Sequence, residues 1–209
     1  MQDIDLNEFS EHMNSESDRA CAILGAALLD AKLEELFKRK LRRFQNDLLK
    51  SMCPLGTFSS RIRLARAIDW ISEDVQCDLD TIRGIRNDFA HSFDYKLSFA
   101  NQSIAARCKN LRTAQAFLDG LDIAAAKPNQ NISVKVIQNV QATFDLARWR
   151  FQLVVDFVSQ YLDDINGNLE QYSGPNLTEQ VRDLSSNFRI TISATAVVGH
   201  PPTSPEVEC

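Results

Sequence analysis

The chain has 209 residues, of which 44% are hydrophobic and 24% charged, with a formal net charge of −5. This length favours one domain around one substantial core, and the composition is typical of globular proteins. The acidic balance argues against bulk attraction to nucleic acid. No apolar run approaches the roughly 20 residues that cross a bilayer, and the N-terminus is acidic where a secretory signal is basic and then apolar. We therefore predict a cytoplasmic protein without membrane contact.

The cysteines and histidines indicate neither a disulfide framework nor a metal site. Five cysteines, an odd number, are widely spaced and include no Cys-x-x-Cys pair. The three histidines are too scattered in the sequence to form a cluster. Cys21 and Cys108 are predicted to be small core residues, and no metal or cofactor is predicted.

The first strong helical signal follows residues 15–18, which offer overlapping N-caps with the spacing of a capping box. Asp30 and Glu34 fall on the apolar face of the helix that follows. The members of that face are spaced by three and four residues, as a core-facing helix requires: Ala20, Ile23, Leu24, Ala27, Ala31 and Leu41.

Three further helices are predicted in the middle of the chain, after a Pro- and Gly-containing loop at 53–57. Ser59 or Ser60 is the predicted cap of the first and Asp78 of the second. The third is predicted to start at Ser98 or Asn101 and to end near residue 120.

Residues 127–131 form a predicted linker, and one long helix is predicted over about 132–166. The fold class is therefore all-α, a bundle of about five to seven helices with a long C-terminal helix and a flexible tail. We assign 1–168 to the helical domain and 169–209 to a short helix followed by a disordered tail.

Positive charge is concentrated between Lys32 and Arg66, with ten basic residues against three acidic ones. This excess is usually a solvated helix face, but it can also attract phosphate or an acidic partner. The candidate patch comprises Lys38, Arg39, Lys40, Arg42 and Arg43.

Residues 86–91, Arg-Asn-Asp-Phe-Ala-His, are the most informative segment and have two interpretations. On a helical wheel Arg86 lies about 40° from Ile82, inside the apolar stripe, so it is expected to be partly buried. A buried guanidinium needs carboxylates, and Asp30 and Glu34 also face the core. We therefore predict a structural brace of Asp30, Glu34 and Arg86.

The alternative interpretation is catalytic. An arginine that stays charged and an imidazole that titrates near neutrality can stabilise a phosphoryl transition state and move a proton without a metal. His91 lies about 140° around the wheel from Arg86, so the two side chains converge only if the helix ends first. The candidate catalytic residues are Arg86, Asn87 and His91.

Several blocks, taken in order, make about residues 15–120 similar to the mannitol operon repressor family. They are 17–20 (SDRA), 29–30 (LD), 33–36 (LEEL), 54–59 (PLGTFS), 62–65 (IRLA) and 82–91 (IRGIRNDFAH). The resemblance implies an all-helical fold and a role in transcriptional control. No helix-turn-helix with a basic recognition helix is evident; residues 61–66 are the nearest candidate.

A broader resemblance links Arg86, Asn87 and His91 to the Arg-x4-6-His signature of HEPN domains, many of which are metal-independent ribonucleases. The resemblance implies that motif residues of two protomers meet in a dimer cleft. Our leading hypothesis is a regulator resembling mannitol operon repressors that works through association with a protein partner, such as another transcription factor. The alternative is a HEPN-like ribonuclease or RNA-binding protein, and the sequence leaves homodimer formation and nucleic-acid contact open.

Overall fold

The computed structural model describes residues 6–41, 45–126, 146–167 and 177–186. Within these ranges the regular elements are helices. They are α1 (Leu6–Ser15), α2 (Asp18–Lys40), α3 (Gln45–Leu48), α4 (Phe58–Ala67), α5 (Glu73–His91), α6 (Gln102–Lys109), α7 (Arg112–Ala126), α8 (Ala147–Gly167) and α9 (Leu177–Ser186). The predicted all-α multi-helix bundle is confirmed. The described ranges hold eight helices of at least eight residues and one of four, more than the five to seven predicted.

Helix starts are fixed by side-chain caps. Ser17 accepts a hydrogen bond from the Ala20 amide, and Thr57 with Ser60 forms a reciprocal capping box at the start of α4. Asn101 caps α6, one of the two residues predicted for that position.

Helix α2 lies at the centre of the bundle and packs against α5 and α8. Gly25 allows the close approach to α8, because a Cβ there would lie 2.9 Å from the ring of Phe151 and 3.0 Å from Val155. Phe99 lies 5.2 Å, centroid to centroid, from both Phe89 of α5 and Phe151 of α8. The three rings join the segment 86–91 to the core.

One apolar core extends from Met13 to Val181 and includes side chains of α1, α2 and α4 to α9. Cys21 and Cys108 belong to it, as predicted. Burial raises the pKa of the Cys21 thiol to about 11 and that of Cys108 to about 12. Both thiols are therefore core side chains rather than nucleophiles at neutral pH.

Asp78 is not the cap of its own helix, contrary to the prediction. The Ser72 side chain caps α5 by accepting from the Val75 amide, and α5 begins six residues earlier than expected. Asp78 is 1% exposed and accepts from the amides of Arg112 (2.7 Å) and Thr113 (2.9 Å) at the start of α7. An aspartate of one helix thus caps another, which a local pattern cannot indicate.

The helix predicted from Ser98 or Asn101 to about 120 is two helices, α6 and α7. The chain turns at 110–111, where the Asn110 and Leu111 amides donate to Arg107 and Cys108 carbonyls. α1 was not predicted. The described part of the predicted long helix is α8, whereas residues 132–145 and the tail after 186 lie outside the described residues.

Candidate functional site at the C-terminal end of α5

The predicted brace exists, but with a different arginine. Arg61 of α4 is 4% exposed, and its guanidinium donates to Asp30 and, at 2.7 Å, to Glu34. The assignment of Arg86 as the partner is wrong. Asp30 and Glu34 were placed correctly on one face of α2, while Arg61, four residues before the buried Ala65, reaches them from α4.

Arg86 is exposed, although it was predicted to be partly buried. It lies at the edge of the buried stripe of α5, and a long arginine stem can carry its charged end from such a position to water. Its guanidinium donates to the Asn87 side-chain oxygen at 2.9 Å. Burial raises the pKa of the Asp30 carboxyl, and the charges of Arg61, which binds it, and of Arg86 lower it in part.

Asn87 and His91 share the α6-facing side of α5, one turn apart, and both line a cleft of about 450 Å³. We call it the His91 cleft. Its lining comprises Asn87, Asp88, His91, Ser92, Leu97, Asn101, Ser103 and Ile104. Because α5 continues to His91, Arg86 and His91 diverge around the helix within one chain.

An ion pair joins α5 to α6 beside the His91 cleft. Arg107 of α6 donates to the Asp88 carboxylate, with both side chains partly exposed. The pair fixes α6, which is capped by Asn101, against the end of α5, so two packed helices form most of the cleft, and Ser92 and Leu97 of the following loop complete it.

Arg19, in the first turn of α2, binds the C-terminal end of α5 and the segment that follows α5. Its guanidinium donates to the carbonyls of Phe89, Ser92 (3.1 Å) and Asp94 (2.9 Å). Cations are favourable at helix C-termini, where carbonyls have no partner within the helix. The block 17–20 and the block 82–91, which carry the resemblance to mannitol operon repressors, are thus in direct contact.

The segment Ser92–Leu97, which we call the aromatic loop, presents two aromatic rings to solvent. Phe93 is 103% exposed and Tyr95 84%. Both border a second cleft, of about 610 Å³, which we call the aromatic cleft. Its lining comprises Ser17, Asp18, Arg19, Ser92, Phe93, Tyr95, Lys96, Leu97 and Ser98.

The predicted basic patch is partly used within the fold. Lys38 pairs with Glu34 at 2.5 Å, and Arg39 donates to the Asn166 carbonyl at 3.0 Å in the last turn of α8. Lys40 is exposed, and Arg42 and Arg43 lie outside the described residues. The end of α2 therefore offers less free positive charge than the sequence suggests.

Sequence reasoning missed Arg61, Arg19 and the aromatic loop as parts of this region. Two of them left a signal. Arg61 shares a helix face with Ala65, and Arg19 places a cation in the first turn of a helix, where the dipole disfavours it and a tertiary partner can be expected. Exposure of Phe93 has no such signal, because the sequence does not show which apolar residues remain outside the core.

The described part of the chain contains neither a candidate membrane span nor a candidate metal site. In 6–41, 45–126, 146–167 and 177–186 no helix is both long and apolar enough to cross a bilayer. Within those same ranges no group of three His, Cys, Asp or Glu side chains is placed to hold a metal ion.

Comparison with known proteins gives no match. No family model, no curated protein and no solved structure is similar to this chain at a significant level. The resemblances to mannitol operon repressors and to HEPN domains therefore stay predictions from the quoted residues.

Proposed function

We propose that the protein acts on RNA at the exposed end of α5, as a HEPN-like regulatory protein that cleaves the strand without a metal. The observation that carries this proposal is the exposure of Arg86. The structural role predicted for it belongs to Arg61, so Arg86 is available at the surface beside Asn87, one turn before His91.

The chemistry needs one proton shuttle and one fixed positive charge. A ribose 2′-hydroxyl attacks its own phosphorus, the bond between phosphorus and the 5′-oxygen breaks, and a 2′,3′-cyclic phosphate forms. His91 takes the proton of the attacking hydroxyl and returns a proton to the leaving 5′-oxygen. Arg86 stabilises the charge that develops on the phosphoryl oxygens, and Asn87 orients the guanidinium.

The site requires a second copy of the chain. Arg86 and His91 point to different sides of α5, so one chain does not bring both side chains to one phosphate. A two-fold axis near the end of α5 would place Arg86 of one protomer near His91 of its partner. The proposal thus includes a homodimer, in keeping with the HEPN resemblance.

The test is cleavage of a labelled single-stranded RNA with excess EDTA. Wild type should cleave it, and Arg86→Ala and His91→Ala should lose cleavage together while remaining folded, because both groups serve one transition state. The matched control is Arg63→Ala, which removes an exposed arginine of a different helix, α4, and should cleave RNA like wild type. RNA that remains intact with wild type, or cleavage retained in both variants, would contradict the proposal.

A second candidate, a regulator that works through association with another protein, is favoured by charge. The chain carries a net charge of −5, and two basic residues at the end of α2 are engaged within the fold. On this hypothesis the purified protein binds a promoter fragment weakly and without sequence preference at physiological salt. Nanomolar binding that discriminates an operator from scrambled DNA would contradict it and indicate direct repression.

A further inference from the structure

The His91 cleft and the aromatic cleft adjoin. Ser92 and Leu97 line both, so the aromatic loop is the wall between them. Phe93 follows His91 by two residues, which places their Cα atoms at most about 7 Å apart. A strand whose phosphate lies at His91 therefore has to pass only this short loop to bring a neighbouring base to the aromatic rings.

Hydrogen bonds hold the backbone of the aromatic loop. Arg19 binds two of its carbonyls, the Asp94 amide donates to the Ser92 hydroxyl at 3.1 Å, and the Lys96 amide donates to the Asp94 carboxylate at 2.9 Å. The Leu97 amide also donates to the Asp94 carbonyl at 3.2 Å. The exposed rings are thus presented by an ordered segment, so less conformational entropy is lost when they bind a ligand.

The charges around the aromatic cleft favour an anion. Lys96 lies with its ammonium 5.7 Å from the Tyr95 ring centroid, and Arg19 contributes a second positive charge. The Asp18 carboxylate is bound by Arg148 at 2.7 Å and by the Phe99 amide at 2.8 Å, and Asp94 binds the Lys96 amide. The Asp18 carboxylate is therefore offset by Arg148, and the Arg19 guanidinium is bound to three backbone carbonyls. The exposed Lys96 supplies the accessible positive charge beside the two rings.

We propose that the aromatic cleft binds an unpaired nucleobase next to the phosphate at His91, so that the substrate is single-stranded RNA. This inference rests on the proposed action on RNA and adds the class of strand. Aromatic rings combined with cations are the recurring means of holding single strands, because every base offers a face on which a ring can stack. A duplex keeps its bases stacked on each other and cannot use the rings.

Binding is measured on a strand that cannot be cleaved, and cleavage is measured separately with the labelled RNA described above. A fluorescein-labelled 12-nucleotide 2′-O-methyl oligouridine, which lacks the attacking hydroxyl, gives the dissociation constant by anisotropy. Wild type should bind it more tightly than the same strand in a duplex. The double variant Phe93→Leu/Tyr95→Leu, which keeps apolar bulk and removes both rings, should bind at least about tenfold more weakly.

Two control variants separate stacking from a general loss of apolar surface. Phe93→Tyr/Tyr95→Phe retains two rings and should bind like wild type. Met52→Ala removes another exposed apolar side chain, 95% exposed and outside the lining of both clefts, and should also bind like wild type.

Each outcome bears on one of the two proposals. Equal binding and cleavage of single strand and duplex, with no effect of the double leucine variant, overturns the single-strand assignment and leaves the proposed cleavage standing. Ring-dependent binding without cleavage by wild type supports the cleft and contradicts the nuclease. A changed subunit number of the double leucine variant in light scattering would show that the rings form a protein interface, and this overturns the inference.

Discussion

Replacing Arg61 by alanine should strongly destabilise the fold, whereas Arg86→Ala should leave it almost unchanged. The Arg61 side chain is 5% exposed and binds carboxylates of two residues one turn apart on α2. Alanine removes the guanidinium and leaves both carboxylates beside the core, with the buried volume of the arginine stem lost as well.

The magnitude follows from the burial of the three side chains. Removal of one partner of a fully buried ion pair costs about 3–5 kcal/mol. The Asp30 and Glu34 side chains keep 34% and 30% of their exposure, so water can take over part of the solvation that Arg61 supplies. We therefore expect the lower end, about 3 kcal/mol, for Arg61→Ala, and under about 0.5 kcal/mol for the exposed Arg86→Ala.

Urea unfolding followed by far-ultraviolet circular dichroism measures both values. With typical slopes of about 1–3 kcal/mol/M, the unfolding midpoint of Arg61→Ala should fall by about 1 M or more. Arg61→Met, which keeps the apolar stem, should recover the packing part of the loss and not the charge part. A loss for Arg86→Ala equal to that for Arg61→Ala would refute the assignment of the brace to α4.

Three further predictions test the fold. Burial raises the pKa of the Asp78 carboxyl above its usual 3.8, so the folded state binds a proton at this carboxyl more tightly than the unfolded state does. The free energy of unfolding of wild type, relative to that of Asp78→Asn, should therefore increase as the pH falls through the raised pKa. A pH-independent difference between the two in urea unfolding would contradict this. Cys21 and Cys108 should resist iodoacetamide at about pH 8 until denaturant is added, as mass spectrometry can show, because thiolates are the reactive form. Gly25→Ala should lower stability by about 1–3 kcal/mol, because its methyl group clashes with α8. Gly84→Ala meets only the flexible end of an arginine and should be neutral or stabilising in thermal melts. A larger loss of stability for Gly84→Ala than for Gly25→Ala would refute the packing argument.

The sequence alone determined the helical class, because apolar spacing and caps are local properties of the chain. It was wrong about the buried face of α2. The predicted members of that face, Ala20, Ile23, Leu24, Ala27, Ala31 and Leu41, are partly or fully exposed, whereas the buried residues are Cys21, Ala22, Gly25, Ala26, Leu28, Leu29, Leu33, Leu36 and Phe37. The sequence placed Asp30 and Glu34 on one face of α2, proposed Asn101 as a cap, and identified Cys21 and Cys108 as core residues. These assignments depend on neighbours within about one turn, and such neighbours are visible in any helical wheel.

Only the tertiary structure decided which residues from distant helices meet. Arg61 and Arg86 both share a helix face with apolar residues. Because α4 packs against α2, Arg61 is the arginine that binds the carboxylates of Asp30 and Glu34. Asp78 caps α7 instead of its own helix, and Arg19 closes α5 from α2. A periodic pattern shows which side chains share a helix face, but the partner across that face depends on how the connections orient each helix. Long arginines at the edge of a buried stripe can then turn either to a carboxylate or to water.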